Sequence, residues 1–327
     1  MQYSSVLRRA IPCALALASL ALPASGFAQT YPNQPVHIMV GASPGGGTDI
    51  LARTLADKFT TGLKQTVVVE NRPGASNTIA AALTARAEPN GLTLLVATNT
   101  GQAIAPHMLK LTYDPLTNLA PVGLVAIMPN VLVVPSSSKY TNVKDLLADM
   151  KAKPGTFKYA SSGVGSTQHV GAEAFSLATG TKSIHVPYKG SSQAHVDLIA
   201  GQTDMMFDST SSAMAQIKAG KLRPLAVTSP KRASALPDVP TLTEQGITGA
   251  DVTTWYGLLT TGGTSPDIIT RLNKELNASL KLPDVEARIK GLGGEIDLMT
   301  AEEFAAMNKS EYERYGKLLK ASGIKAD

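Results

Sequence analysis

Two glycine- and serine-rich stretches concentrate the polar chemistry of this chain: Ser43-Pro44-Gly45-Gly46-Gly47-Thr48-Asp49 and Ser161-Ser162-Gly163-Val164-Gly165-Ser166-Thr167-Gln168-His169. A glycine-rich turn that opens a helix aims free backbone N–H groups and the positive end of the helix dipole at whatever lies before it. Such turns hold anions. The candidate contacts are Ala42, Ser43, Gly45, Gly46, Gly47, Thr48 and Asp49 in the first stretch, and Ser161, Ser162, Gly163, Gly165, Ser166, Thr167 and His169 in the second. Lys189, in Lys189-Gly190-Ser191-Ser192, and Asp208, in Asp208-Ser209-Thr210-Ser211-Ser212, each precede a helix-like run and read either as ordinary caps or as added polar groups in the same site. Asp49 reads equally as a cap on the helix dipole and as an acceptor for a ligand hydroxyl or amine. His169 reads equally as a hydrogen-bonded structural residue and as a ligand contact.

Other chemistries fit these residues poorly. Gly41-Ala42-Ser43-Pro44-Gly45 has the form of a nucleophile elbow, but the residue after Ser43 is Pro44, which lacks the N–H an oxyanion hole needs. An esterase using Ser43 is therefore disfavoured. Gly47 stands where a phosphate-binding loop would place its lysine. His169 and Glu173 have i, i+4 spacing, yet His37, His107, His185 and His195 add no metal-ligand pattern, so neither a metal nor a cofactor is expected. Backbone donors without catalytic side chains point to binding.

The elements that must carry these loops alternate. Short apolar or β-branched runs at 36–40, 66–70, 92–97, 131–134, 157–160, 204–207, 225–227 and 256–260 predict strands, and amphipathic stretches at 78–87, 143–152 and 212–219 predict helices. This is an α/β pattern, in which ligands sit beyond the carboxyl ends of strands. Ser265 before Pro266 predicts a helix with Ile269, Leu272, Leu276 and Leu280 on one face, and Thr300 with Glu303 forms a capping-box signature ahead of Phe304, Tyr312, Tyr315 and Leu319. The runs at 131–134 and 256–260 resemble each other and read as two crossings between a discontinuous domain, 29–130 plus 255–327, and an inserted one, 131–254. The two loops then face each other across an interdomain cleft.

Arg8-Arg9, an apolar run over 10–22 and Gly26-Phe27-Ala28 read as an export signal cleaved after Ala28, with ordinary secretion into a periplasm. No later run is long and apolar enough to span a bilayer. The single cysteine, Cys13, lies inside the signal, so no disulfide or thiolate ligand is expected in the mature chain. Removing the signal takes Arg8 and Arg9 from 30 basic residues and nothing from 25 acidic ones, which lowers the net charge from +5 to +3. With no polybasic block and 5% aromatics, a nucleic-acid or membrane-surface role lacks support.

Taken together, Pro44-Gly45-Gly46-Gly47-Thr48-Asp49, Glu70-Asn71-Arg72-Pro73-Gly74-Ala75, Tyr113-Asp114-Pro115, Tyr159-Ala160-Ser161-Ser162-Gly163, Val186-Pro187-Tyr188-Lys189-Gly190, Met206-Phe207-Asp208 and Leu236-Pro237-Asp238-Val239-Pro240-Thr241 resemble, in order, the Bug-type solute receptors of tripartite tricarboxylate transporters. The resemblance implies a monomeric two-domain periplasmic-binding-protein fold of the Venus-flytrap kind, type II-like, with two crossover strands. It implies capture of a small organic acid and its delivery to a two-component membrane permease. A ligand-sensing subunit for a signalling partner is the alternative. In that family the ligand carboxylate is held by backbone N–H groups, hydroxyls and ordered waters, roles that map onto residues 43–49 and 161–169. The chain departs at Gly41-Ala42, where relatives usually carry Pro and then a bulky aromatic, so a roomier pocket accepting larger or ring-bearing acids is expected.

Overall fold

The computed structural model describes residues 31–188 and 190–323, so the proposed export signal lies outside the described residues. Among the described residues nine strands form one sheet in the order β2-β1-β3-β9-β4-β7-β5-β6, with β8 paired to β4. One end is parallel: β1 (Val36–Val40) lies between β2 (Val67–Asn71) and β3 (Thr93–Thr98). The other end is parallel as well, with β5 (Lys158–Ser161) between β6 (Ile184–Pro187) and β7 (Met205–Ser209).

Two antiparallel strands join these ends. β9 (Thr253–Thr261) pairs with β3 on one side and β4 (Leu119–Pro135) on the other. β4 pairs with β9 from Leu119 to Pro129, then from Asn130 onward pairs with β7 and with β8 (Leu222–Val227). Only 131–134 of this 17-residue strand is legible in sequence, because Pro121, Gly123 and Pro129 interrupt the apolar run. The chain accommodates the first two through register shifts between Pro121 and Gly123 and between Leu124 and Ala126.

A polar knot fixes the point where β4 changes partners. The buried Asn130 donates its backbone N–H to Thr228 Oγ1 at 3.2 Å and accepts from Thr254 Oγ1 at 3.2 Å. Thr254 in turn meets Thr167 Oγ1 at 2.9 Å. Because Thr167 is the first residue of α4 (Thr167–Thr179), the helix that follows the second glycine loop is tied directly to both long strands.

Packing follows the strand period of two. Along β4, Leu132 and Val134 enter one cluster with Tyr159, Phe175 and Phe207, while Val131 and Val133 enter another with Ala160, Leu198 and Met206. A third cluster, around Leu95, Leu124, Trp255 and Leu259, fills the β3–β9 region. The last helix, α9 (Ala301–Ser322), begins with the expected capping box between Thr300 and Glu303 and spans two clusters, with Phe304 against Trp255 and with Tyr315 and Leu319 beside Phe175. Ser265 precedes α7 (Pro266–Leu280) as expected, but its side chain accepts no hydrogen bond there; Pro266 at the first position sets the helix start instead. α1 (Gly47–Leu63) is held by Leu51, Leu55 and Phe59, buried at four-residue spacing.

Gly257, in the middle of β9, packs directly under an aromatic ring: a Cβ there would overlap Phe304 at its Cζ. Gly257→Ala is expected to cost ~1–3 kcal/mol as an overpacked core site. Urea unfolding would show a lower midpoint, with part of the loss recovered in the Gly257→Ala, Phe304→Leu double variant; an undiminished midpoint for the single variant would contradict this packing.

Candidate ligand-binding site

The two glycine loops have the same backbone construction. In the first, Gly45 adopts φ 81°, Gly46 N–H donates to the Ser43 carbonyl at 3.3 Å, and Ile50 N–H donates to the Gly46 carbonyl at 3.0 Å as α1 begins. In the second, Gly165 adopts φ 72°, Ser166 N–H donates to the Gly163 carbonyl at 3.2 Å, and Val170 N–H donates to the Ser166 carbonyl at 3.0 Å as α4 begins. Both turns require a left-handed residue, which glycine supplies without steric cost.

The acceptor that locks each loop also occupies the same place. Gly45 N–H donates to Asp49 Oδ2 at 2.9 Å, and Gly165 N–H donates to His169 Nδ1 at 3.1 Å. Both acceptors are buried. Asp49 accepts further from Arg53 Nε at 3.0 Å and Asn71 Nδ2 at 2.9 Å, and Asn71 Nδ2 also reaches the Ala42 carbonyl at 3.0 Å. Burial works to raise the Asp49 pKa, but the bonds from Arg53, Gly45 and Asn71 prevail and hold it below the usual carboxylate value. For His169, burial is the main cause and His185 the second of a pKa pulled down to about 3. A neutral ring with Nδ1 as acceptor is what the Gly165 bond requires.

The remaining residues expected from sequence differ in exposure and in bonding. Ser43 and Gly45 are exposed, Ala42, Gly46 and Gly47 half-buried, and Thr48 buried. The first turn of α1 has no side-chain cap on its N–H groups, while Ser166 caps α4 by accepting from His169 N–H at 3.3 Å. Ser161 is fully buried, its hydroxyl 2.6 Å from His185 Nε2, and the His185 ring stacks on that of His169, with centroids 3.8 Å apart, and on that of Tyr159, at 4.9 Å, the three rings forming one cluster. Ser162 and Gly163 are half-buried, and Gly165 and Thr167 buried. Lys189 lies outside the described residues.

Asp208 is fully buried and surrounded by donors. Its Oδ1 accepts from Gln168 Nε2 at 2.8 Å, Ser191 Oγ at 3.0 Å, Ser212 Oγ at 2.6 Å and Ser209 N–H at 2.9 Å, and its Oδ2 lies 2.6 Å from His195 Nε2. These donors come from the N-terminal ends of α4, α5 (Ser191–Ile199) and α6 (Thr210–Lys218), so one carboxylate draws three helix starts together.

The first loop meets this assembly at Gly47. A Cβ there would lie 3.1 Å from both Ser211 Oγ and Tyr256 Oη, and the buried Tyr256 phenol, whose pKa burial raises, is hydrogen-bonded to Ser211 and Ser209. Among the described residues no hydrogen bond joins 43–49 directly to 161–169. They are related instead through the irregular segment 100–108: Gly41 and Gly101 both abut Asn77, and Ile104 and Met108 abut Gly165.

Tyr256, Asn71, Arg53, His185 and His195 were not among the residues expected from sequence, whereas Gln168, Ser191 and Ser211 lie inside stretches read there as candidate site groups. Asn71 had a legible signal, since it ends β2 level with Val40 at the carboxyl edge of the sheet. The others reach the site only through tertiary packing. Among the described residues Ser43 makes no hydrogen bond to a histidine.

Comparison with known proteins identifies the family. The family model described as "Tripartite tricarboxylate transporter family receptor" matches residues 51–324, and the chain belongs to that family. A Pseudomonas sp. (strain P51) protein encoded between tcbD and tcbE is 37% identical over 88% of this chain and 86% of its own length. The structure of the periplasmic binding protein BugD is 35% identical with a TM-score of 0.81, covering 91% of this chain and 100% of its own. An R. palustris protein solved with adipate (32%, TM-score 0.84, 90% and 99% covered) and MatC from Rhodopseudomonas palustris with bound malate (27%, TM-score 0.80, 88% and 100%) share the fold. The chain is a solute-binding receptor of this family and not an enzyme. No helix among the described residues is long and apolar enough to cross a membrane.

The His169 lock has a measurable pH signature. The unfolded chain takes up a proton near the ordinary histidine value of 6.5 and the folded chain only near about 3. This group's contribution to stability is thus complete above about pH 6.5 and is lost as pH falls from there toward 3. His169→Asn keeps an acceptor where Asp49 places one in the first loop, so it should fold and show a flatter fall in melting temperature between pH 6.5 and 4; an unchanged slope would contradict the assignment.

Proposed function

We propose that this chain is a periplasmic receptor, exported by a cleaved signal over residues 1–28, that captures a small carboxylate-bearing metabolite as a monomer and delivers it to a two-component membrane permease. Residues 29–130 with 255–327 form one domain and 131–254 the other, in keeping with the change of partner along β4 at Asn130 and the start of β9 at Thr253. Residues 43–49 are one jaw of the cleft and 162–169 the other. The observation that carries this reading is the repeated loop: two left-handed glycines, each locked by a buried acceptor four residues on, each feeding a helix N-terminus.

Neither jaw contains arginine, so the carboxylate is held by amides, hydroxyls and water rather than by a guanidinium fork. Two or three charge-assisted hydrogen bonds at ~1.5–3 kcal/mol each, with helix dipoles adding ~1–2, approach the ~8 kcal/mol of a micromolar complex after ordering costs. An acid that bridges both jaws favours the closed state, and closure is what a permease can read. The neighbours solved with adipate and malate support a carboxylate ligand. Ala42, half-buried before the first jaw, leaves room for a larger or aromatic acid.

The test is a thermal-shift screen, followed by calorimetry, of protein stripped of carried-over ligand by unfolding and refolding, against aliphatic di- and tricarboxylates, acidic amino acids and aromatic acids. A selective rise with an acid is expected; silence across the panel would overturn the reading. Gly47→Val, which crowds Ser211 and Tyr256, should weaken the best acid by roughly tenfold or more. Ala42→Phe should remove binding of ring-bearing acids while sparing small dicarboxylates; a variant that keeps both would refute the role given to Ala42.

A further inference from the structure

Hydrogen-bond direction around Asp208 can be deduced from donors that have no choice. The Ser162 backbone N–H can only donate, and it points at Gln168 Oε1 at 3.0 Å, which fixes that end of the amide as oxygen. Gln168 Nε2 therefore faces Asp208 Oδ1 at 2.8 Å and Ser191 Oγ at 3.0 Å, spending both of its protons. The Ser162 hydroxyl also contacts Gln168 Oε1, an oxygen that only accepts, so its proton is directed inward. Ser191 Oγ, accepting from Gln168, donates to Asp208, and Ser212 Oγ donates to Asp208 at 2.6 Å. All three hydroxyl protons are committed to the interior.

Ser162, Ser191 and Ser212 are nevertheless half-buried, not sealed. What they present outward is lone pairs. We infer that the acid this site selects carries a hydrogen-bond donor, a hydroxyl or an ammonium, beside its carboxylate, because the network behind the second jaw turns the Ser162 hydroxyl into an acceptor. The inference rests on the receptor reading above and narrows its ligand class. In it Gln168 and Asp208 are positioning residues, which act by orienting Ser162.

Matched sets of acids, titrated by calorimetry into the ligand-stripped protein, test this: succinate, malate and aspartate; adipate, 2-hydroxyadipate and 2-aminoadipate; 3-phenylpropionate, 3-phenyllactate and phenylalanine. In whichever set binds, the donor-bearing member should be tighter than its parent by about tenfold or more, the scale of one added hydrogen bond. The hydroxyl and amino arms show which donor is preferred. Ser162→Ala should reduce that ratio to about threefold or less, and Gln168→Met, which frees the Ser162 proton to turn outward, should lower it as well. Parents that bind as tightly as their derivatives would overturn this inference and leave the receptor reading standing, as would a Ser162→Ala protein that keeps the full ratio. Silence of these acids and of the whole panel above, tricarboxylates included, would overturn both.

Discussion

The bond from a left-handed glycine's N–H to a buried acceptor four residues later is the constraint on which the site depends. It closes each loop on the first turn of the helix that follows, so the loop cannot open without exposing a buried polar group, at a cost of ~1–3 kcal/mol. The first turn of α1 carries no side-chain cap on its amides, while in α4 Ser166 takes the His169 amide. In the proposed receptor, donors held in place before the ligand arrives would lose little entropy on binding an anion, so loops without arginine could still hold one.

Each lock is supported by a different chemistry. In the first loop the acceptor is a carboxylate, and Arg53 and Asn71 supply its counter-charge and second donor. In the second it is a neutral imidazole, stacked on His185, and the negative charge is set back at Asp208, where the N-termini of α4, α5 and α6 meet. Thr167, Asn130 and Thr254 then fasten the second loop's helix to both long strands. These links run between the Thr167, Thr254 and Asn130 side chains, all buried, so the start of that helix is bonded to the two strands away from solvent.

Much of this was legible in the chain. Glycines in positions that need positive φ, a strand before them and an apolar four-residue period after them locate both loops, because backbone geometry and helix burial leave direct marks on residue type. The capping box at Thr300 and the α/β alternation are visible for the same reason. What sequence conceals is long-range: Asp208 meeting Gln168 across 40 positions, or Tyr256 meeting Ser211 beside Gly47, arises only when the sheet order is set. β4 was legible only near its end because proline and glycine look like strand breakers, and the register shifts that absorb them have no sequence signature. His169 left its role open because an i, i+4 acceptor to a loop amide and a ligand contact call for the same residue.

The central claim is that the locking amides are spent and the amides of the first helical turns bind the acid. Amide NMR of the ligand-stripped protein, titrated with the acid that binds it most tightly, tests this directly. The account predicts large shifts at Gly47, Thr48 and Thr167, with Gly45 and Gly165, already bonded to Asp49 and His169, changing little. Large shifts at Gly45 and Gly165 with silent helix amides would contradict it.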